Sequence, residues 1–168
     1  MQKAEQKKPT EPLYLRSQRV LAKMQQAAPE FEKAYLSDIR VVAPEQLPKG
    51  VVIDHRNTVL FEYTFREVAL NLNETMHGGS SASIQDICAT VLASASHNQE
   101  RLFPITIESQ FSYHRPVEFV PVVYFRATLE KASKRFASAT VDILDSKRFA
   151  LLNSGKILKA YDDWAQKL

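Results

Sequence analysis

Only one cysteine, Cys88, occurs in the 168 residues, so the chain forms no internal disulfide and must hold itself together by packing. It lies in an apolar stretch, where a lone thiol reads as a small buried hydrophobe suited to a reducing compartment. Four glycines and eight prolines are too few for a fibrous or low-complexity chain. No apolar run approaches the roughly 18–20 residues that cross a bilayer, and the N-terminus lacks the short apolar core of a secretory signal. No membrane span is expected. Basic residues form no block, and a net charge of +3 spread along the chain gives no reason to expect a nucleic-acid partner. His, Cys and Asp are not set at metal-ligand spacing. No glycine-rich nucleotide fingerprint and no serine in a nucleophile elbow occur, so neither a metal nor a redox cofactor is expected.

What is present is an ordinary globular composition, 45% hydrophobic and 24% charged, at a length that suits one core. Residues 1–11 are polar. Leu13, Val20, Leu21, Met24 and Ala28 then recur at helical spacing until Pro29, and Phe31, Tyr35, Leu36 and Ile39 begin a second helical pattern. Residues 1–44 are therefore expected as a helical extension and 45–168 as the main domain. Lys3, Lys7, Lys8, Arg16, Arg19 and Lys23 outnumber Glu5 and Glu11, which makes mitochondrial import the alternative to a cytoplasmic location.

After the turn signal Pro48-Lys49-Gly50, Phe61, Tyr63 and Phe65 alternate with polar residues, the period of a half-buried strand. From Ser80 to about His97, Ile84, Ile87, Cys88, Val91, Leu92 and Ala95 predict one long amphipathic helix. Alternation returns at Ile105, Ile107, Phe111 and Tyr113, then at Val123 to Leu129, at Ala137 to Ile143, and over residues 149–160. The order predicts an α+β domain whose antiparallel meander wraps the helix.

Chemistry concentrates in residues 71–86. Gly78 and Gly79 precede the helix, whose first N–H groups have no internal partner and sit at the positive end of its dipole, so an oxyanion can approach bare amides there. Such a site polarises a carbonyl. Asp86 falls opposite the Ile84/Ile87/Cys88/Val91 stripe, on a face shared with Ala82, Ala89, Thr90 and Ala93. Small residues let another surface come close, and a carboxylate in the resulting crevice acts as general base or nucleophile. Taken singly, these residues also have plain readings: Asp86 as a solvated residue on the outer helix face, His77 as a helix-entry residue, Asn71 as a turn cap.

The spacing Asn71, His77-Gly78-Gly79, Asp86, continued through Ile105–Tyr113 to Arg115-Pro116, resembles hotdog-fold acyl-CoA thioesterases of the phenylacetate-degradation type, over roughly residues 45–160. That resemblance implies a hotdog fold, a curved antiparallel sheet wrapped around one long central helix, in a homodimer or homotetramer with sites at the subunit boundary. It implies Asp86 as base or nucleophile, Asn71 orienting water, the Gly78 amide on the thioester carbonyl, Thr106 helping to place the water, and His77 in the loop or near the leaving sulfur. Coenzyme A enters as part of the substrate, with Gly79 expected against it; Arg115, Lys134 and Arg135, at strand ends, are either partners of its phosphates or ordinary surface charges. Lys131–Arg135 departs from the pattern, since many relatives carry a glycine in that turn. Met76, Phe111 and Tyr113 are either tunnel lining or core. Two rivals stand: a non-catalytic acyl-CoA or lipid-binding hotdog protein, and an enoyl-thioester hydratase, for which no suitable acid and histidine pair is present.

Overall fold

The computed structural model describes residues 11–97 and 103–161, so Lys3, Lys7, Lys8 and the polar start lie outside the described residues. Helix α1 spans Leu13–Ala27 and buries Leu13, Val20 and Leu21 of the expected apolar stripe together with Ser17, while Met24 is partly buried. Pro29 ends it: Ala28, held extended at ψ 138°, adopts the conformation a following proline enforces. Helix α2 follows at Glu30–Leu36.

Ile39 does not extend that helix as its spacing predicts. It opens strand β1, Ile39–Val41, where two buried β-branched residues flank exposed Arg40. Arg40 lies directly opposite Glu62 and pairs with it at 2.7 Å. The sheet thus begins before Pro48.

Strands β4 (Val122–Ala132), β5 (Phe136–Leu144) and β6 (Leu151–Ala160) bury alternate residues, among them Val123, Phe125 and Ala127, and Ala137 to Ile143 at every second position, whereas β2 (Thr58–Thr64) buries Thr58 to Phe61 without a break and then Tyr63. With β3 (Ile105–Tyr113) they form one antiparallel sheet in the order β1-β2-β4-β5-β6-β3. The sheet is curved and holds the long helix α3, Gly78–Ser96, in its hollow, the hotdog arrangement. The expected meander is broken at one place: β3 does not neighbour β4 but lies at the far edge beside β6.

The reason is visible in side-chain placement. Central strands need a buried face, and β3 supplies little of one: Ile105, Ile107 and Tyr113 are 48%, 50% and 54% exposed. A β-bulge at Ile107, where the register slips between Thr106 and Glu108, reverses the parity of the strand. Thr106 before the bulge and Ser109 and Phe111 after it therefore share the face toward α3. The apolar alternation read from Ile105 to Tyr113 does not describe a core face.

Helix α3 is enclosed on nearly every side. Ala89, Thr90 and Ala93 are buried along with the Ile84/Ile87/Cys88/Val91 stripe, so the amphipathic pattern marks a central helix instead of a surface one. Helix α1 packs on α3 and β1. Burial pushes the Cys88 thiol well above its ordinary range, with the Asp86 carboxylate adding to the effect, which leaves it inert and structural.

Candidate active site

Helix α3 starts two residues earlier than its apolar pattern, so Gly78 and Gly79 are its first two residues, with His77 at the N-cap. Nδ1 of His77 accepts the Gly79 N–H at 3.0 Å. Gly79's amide is thereby spent. Among the described residues nothing accepts from the Gly78 N–H, which lies at the positive end of a 19-residue helix. Its carbonyl accepts from Tyr113 Oη at 3.0 Å, so the end of β3 fixes the first helical residue.

Asn71 organises the approach to that helix. Its Oδ1 accepts from Asn73 N at 2.8 Å and Thr75 N at 3.2 Å, and its Nδ2 donates to Thr75 Oγ1 at 2.9 Å. These bonds close a turn in which Glu74 takes a left-handed φ of 57°. Among the described residues, one N–H of the Asn71 side-chain amide has no acceptor. Met76 N and His77 N then bond Val117 O and Ala69 O, pinning the loop that delivers the glycines. Met76 is buried core.

Two turns into α3, Asp86 meets β3 and β6. Its Oδ1 accepts from Thr106 Oγ1 at 2.6 Å and from Lys159 Nζ at 2.8 Å; Oδ2 accepts from nothing among the described residues. The Asp86 side chain is 37% exposed and Lys159 is 1% exposed. Asp86, Thr106, Ser83, Ser109 and Phe111 line a cavity of about 330 Å³, and Glu32 and Tyr35 of α2 form its far wall. Tyr35 Oη lies 3.3 Å from Ser80 Oγ, which ties α2 to the start of α3. The plain reading of Asp86 as a freely solvated residue does not describe this arrangement.

Lys159 is the residue that sequence reading missed. On β6 the core-facing positions are Asn153, Gly155, Ile157 and Lys159, so a lysine stands where strand periodicity demands an apolar side chain. That violation was the available signal. Burial lowers the Lys159 pKa, while Asp86 and then Glu32 act in the opposite sense.

The described chain does not bring all the expected residues together. Gly78 and Asp86 are eight residues apart on one helix, about 12 Å along its axis, too far to hold one reacting carbonyl between them. Asn71, His77 and Gly78 form one cluster and Asp86, Thr106 and Lys159 another. Arg115 follows the Tyr113 end of β3 and lines a separate cavity with Glu118 and Asp145. Lys134 and Arg135 are exposed in the β4–β5 turn, near the Ile105 end, where Phe136 and Ile105 both pair with Ala160. The length of β3, about 26 Å, separates them from Arg115. That turn closes without glycine because Ser133 Oγ accepts the Phe136 N–H at 3.0 Å and donates to Phe136 O at 3.1 Å.

At Gly155, β6 passes close to the Gln85 side chain of α3 and to Phe111 of β3. A Cβ there would stand 2.8 Å from Phe111 Cδ1 and closer still to Gln85 Oε1. Gly155→Ala is expected to cost about 1–3 kcal/mol by overpacking, lowering the thermal midpoint by about 2–4 °C per kcal/mol. A midpoint equal to that of the unmodified chain would show that Phe111 and Gln85 move aside freely.

Residues 73–148 match the family model of the thioesterase superfamily. No curated protein matches the chain significantly. Among solved structures, the zebra fish thioesterase superfamily member 2 is 21% identical, covering 86% of this chain and 95% of its own, at a TM-score of 0.68. The Escherichia coli PaaI protein from the phenylacetic acid degradation operon is 13% identical, covering 89% and 96%, at 0.67. A Streptococcus mutans protein bound to acetyl CoA is 10% identical, covering 63% and 82%, at 0.57. At these identities the likeness is one of fold.

Proposed function

We propose, from the premise that this is a hotdog chain whose residues 73–148 belong to the thioesterase superfamily, that it hydrolyses acyl-CoA thioesters to a free acid and coenzyme A. The observation that carries the reading is the Asp86 carboxylate. One oxygen is held by Thr106 and Lys159, and the other, with no donor among the described residues, lies beside a cavity of about 330 Å³. As general base, Oδ2 takes a proton from water, whose oxygen bonds to the thioester carbon. The carbonyl electrons move to oxygen against the Gly78 N–H. Collapse breaks the C–S bond, and the thiolate leaves with the proton returned from Asp86. As nucleophile, Oδ2 itself bonds to the carbonyl carbon and expels the thiolate, and water then cleaves the mixed anhydride.

Because Gly78 and Asp86 of one protomer are about 12 Å apart, the reaction needs Gly78 and Asn71 from one copy and Asp86 and Thr106 from another. A homodimer or homotetramer is therefore part of the proposal. The outer edge of β3, unpaired among the described residues, is a natural place for a second copy to join. The spare Asn71 N–H orients the water, Thr106 orients the carboxylate, and His77 holds the Gly78-Gly79 turn. Arg115, Lys134 and Arg135 are assigned to the coenzyme A portion, with Arg115 and the Lys134-Arg135 pair acting from different protomers or on different parts of the ligand, while Gly79, whose amide is taken by His77, can offer that ligand only a close backbone approach. Glu32 and Tyr35, on the wall of the cavity, are assigned to the acyl portion.

Free-thiol release from short, medium, long and aromatic acyl-CoAs tests the reading and assigns the substrate class. Release with at least one is the expected result. Binding without release from any of them would instead select the non-catalytic acyl-CoA-binding rival, and addition of water to an enoyl thioester would select the hydratase.

A further inference from the structure

Lys159 transfers no proton and forms no bond in the proposed hydrolysis, yet it occupies the least accessible polar position next to Asp86. It is 1% exposed, and its Nζ lies 2.8 Å from Asp86 Oδ1, 2.6 Å from Thr90 Oγ1 and 2.5 Å from Thr106 Oγ1. The proton directions at those acceptors are already fixed. Thr90 Oγ1 donates to the Asp86 carbonyl at 2.9 Å and Thr106 Oγ1 donates to Asp86 Oδ1 at 2.6 Å, so each hydroxyl has only lone pairs to offer Lys159. Three acceptors facing one nitrogen require three N–H groups, which is the ammonium. A neutral amine has two, and its own lone pair would point at an oxygen. The remaining carboxylate that acts on it is Glu32, across the cavity on α2. The strand neighbours in register with Lys159 are Thr106 on β3 and Ala137 on β5, neither titratable.

A stability role does not account for this arrangement. Taking an ammonium out of water costs about as much as its pairing returns, and an apolar side chain of similar volume serves a core slot at least as well. The geometry, by contrast, has a definite effect on Asp86: both donors converge on Oδ1, one of them from a buried and immobile strand position, so the carboxylate plane is fixed and Oδ2 is left for the cavity.

We propose that Lys159 is a positioning residue of this site, a buried ammonium that clamps Asp86 through Oδ1, with Thr90 as its second anchor, and so presents Oδ2 to the substrate. The proposal rests on the acyl-CoA thioesterase reading for its kinetic consequence but not for the clamp itself. Lys159→Met keeps an unbranched stem in the slot and removes only the ammonium. With the best acyl-CoA of the panel, kcat is expected to fall about tenfold or more while KM stays within about twofold, and the thermal midpoint is expected to be unchanged or raised. Thr90→Val, which touches neither Oδ1 nor the substrate, is expected to lower kcat in the same sense by less, and it decides the question if Lys159→Met does not fold. A purely structural lysine would lower the midpoint and leave kcat per folded molecule unchanged, which overturns the proposal. The clamp is read without substrate from the ¹⁵Nζ-bound protons of Lys159, identified by their loss in Lys159→Met. They should exchange with water far more slowly than those of surface lysines, and faster in Thr90→Val. Exchange as fast as at surface lysines sinks the clamp. If the unmodified protein releases no thiol from any acyl-CoA, the thioesterase reading falls, and the exchange measurement still decides for or against Lys159.

Discussion

Asp86→Asn is expected to lower thiol release by about 10²- to 10⁴-fold, the range in which a positioned proton acceptor contributes, without unfolding the protein. Asparagine is isosteric, and its carbonyl oxygen can still accept from Thr106 and Lys159, whose hydrogen bonds to Asp86 Oδ1 measure 2.6 and 2.8 Å. What it lacks is an anionic oxygen for the water proton or the thioester carbon. Asp86→Ala is a harsher change. It leaves the Lys159 ammonium, 1% exposed, facing two hydroxyls and no adjacent carboxylate. Stranding a buried charged donor costs about 1–3 kcal/mol or more, or several degrees of thermal midpoint in a chain of this size. The companion variant Asp86→Ala/Lys159→Met removes both members and should recover most of that loss while remaining inactive. Turnover by Asp86→Asn at the unmodified rate would end Asp86's role in the chemistry. A midpoint for Asp86→Ala equal to that of the double variant would mean that Lys159 does not depend on its partner.

The parts of the fold that were legible in the sequence are those where one physical rule acts alone. Helix α1 has an apolar stripe and a proline stop, and β4 and β5 alternate because one face of each is core, whereas β2 also buries Leu60 on its other face against Val42 and Leu144. Ile39 misled because a residue three or four positions after Tyr35 and Leu36 fits a helix equally well, and only pairing with Tyr63 settles it as strand. The inner face of β3 was hidden by the Ile107 bulge: one extra residue reverses which side chains face α3, and no composition rule marks it. The α3 pattern marked its apolar stripe, and the small-residue face opposite, which lets another surface come close, is buried at Ala89, Thr90 and Ala93.

The site divides in the same way. The motif from Asn71 to Asp86 was readable as a spacing, and the glycines do lie at the helix start. That Gly79's amide is taken by His77 while Gly78's is open depends on a 3.0 Å hydrogen bond that no periodicity reports. Lys159 is 73 residues from Asp86 and reaches it only because β6 is ordered beside β3. Tyr35 and Glu32 enter through the fold of an extension that composition marked only as helical.

The division of the site into two clusters gives the second large expectation. Gly78→Pro should lower kcat by about 10²- to 10³-fold, as the loss of one oxyanion donor does, with little change in the thermal midpoint. Proline at the first helical position gives up an N–H that has no internal partner, and its fixed φ suits the helix. His77 before it already has φ −62° and ψ 137°, the conformation a following proline requires. The Cβ is accommodated as well, since at residue 78 it would meet nothing closer than Tyr113 at 3.6 Å. Gly78→Ala adds a similar Cβ and keeps the N–H, so it should retain activity, and equal losses in the two variants would mean that space, not the amide, matters. Gly78→Pro and Asp86→Asn each damage a different cluster. If a site draws one cluster from each of two protomers, a mixed dimer contains one intact site, and random assembly of the two inactive chains restores roughly a quarter of the unmodified activity. Restoration on co-expression, with neither variant active alone, would place Gly78 and Asp86 of one working site on different chains. Mixed dimers that form and stay inactive would require both groups to act from one chain, which their separation of about 12 Å along α3 opposes.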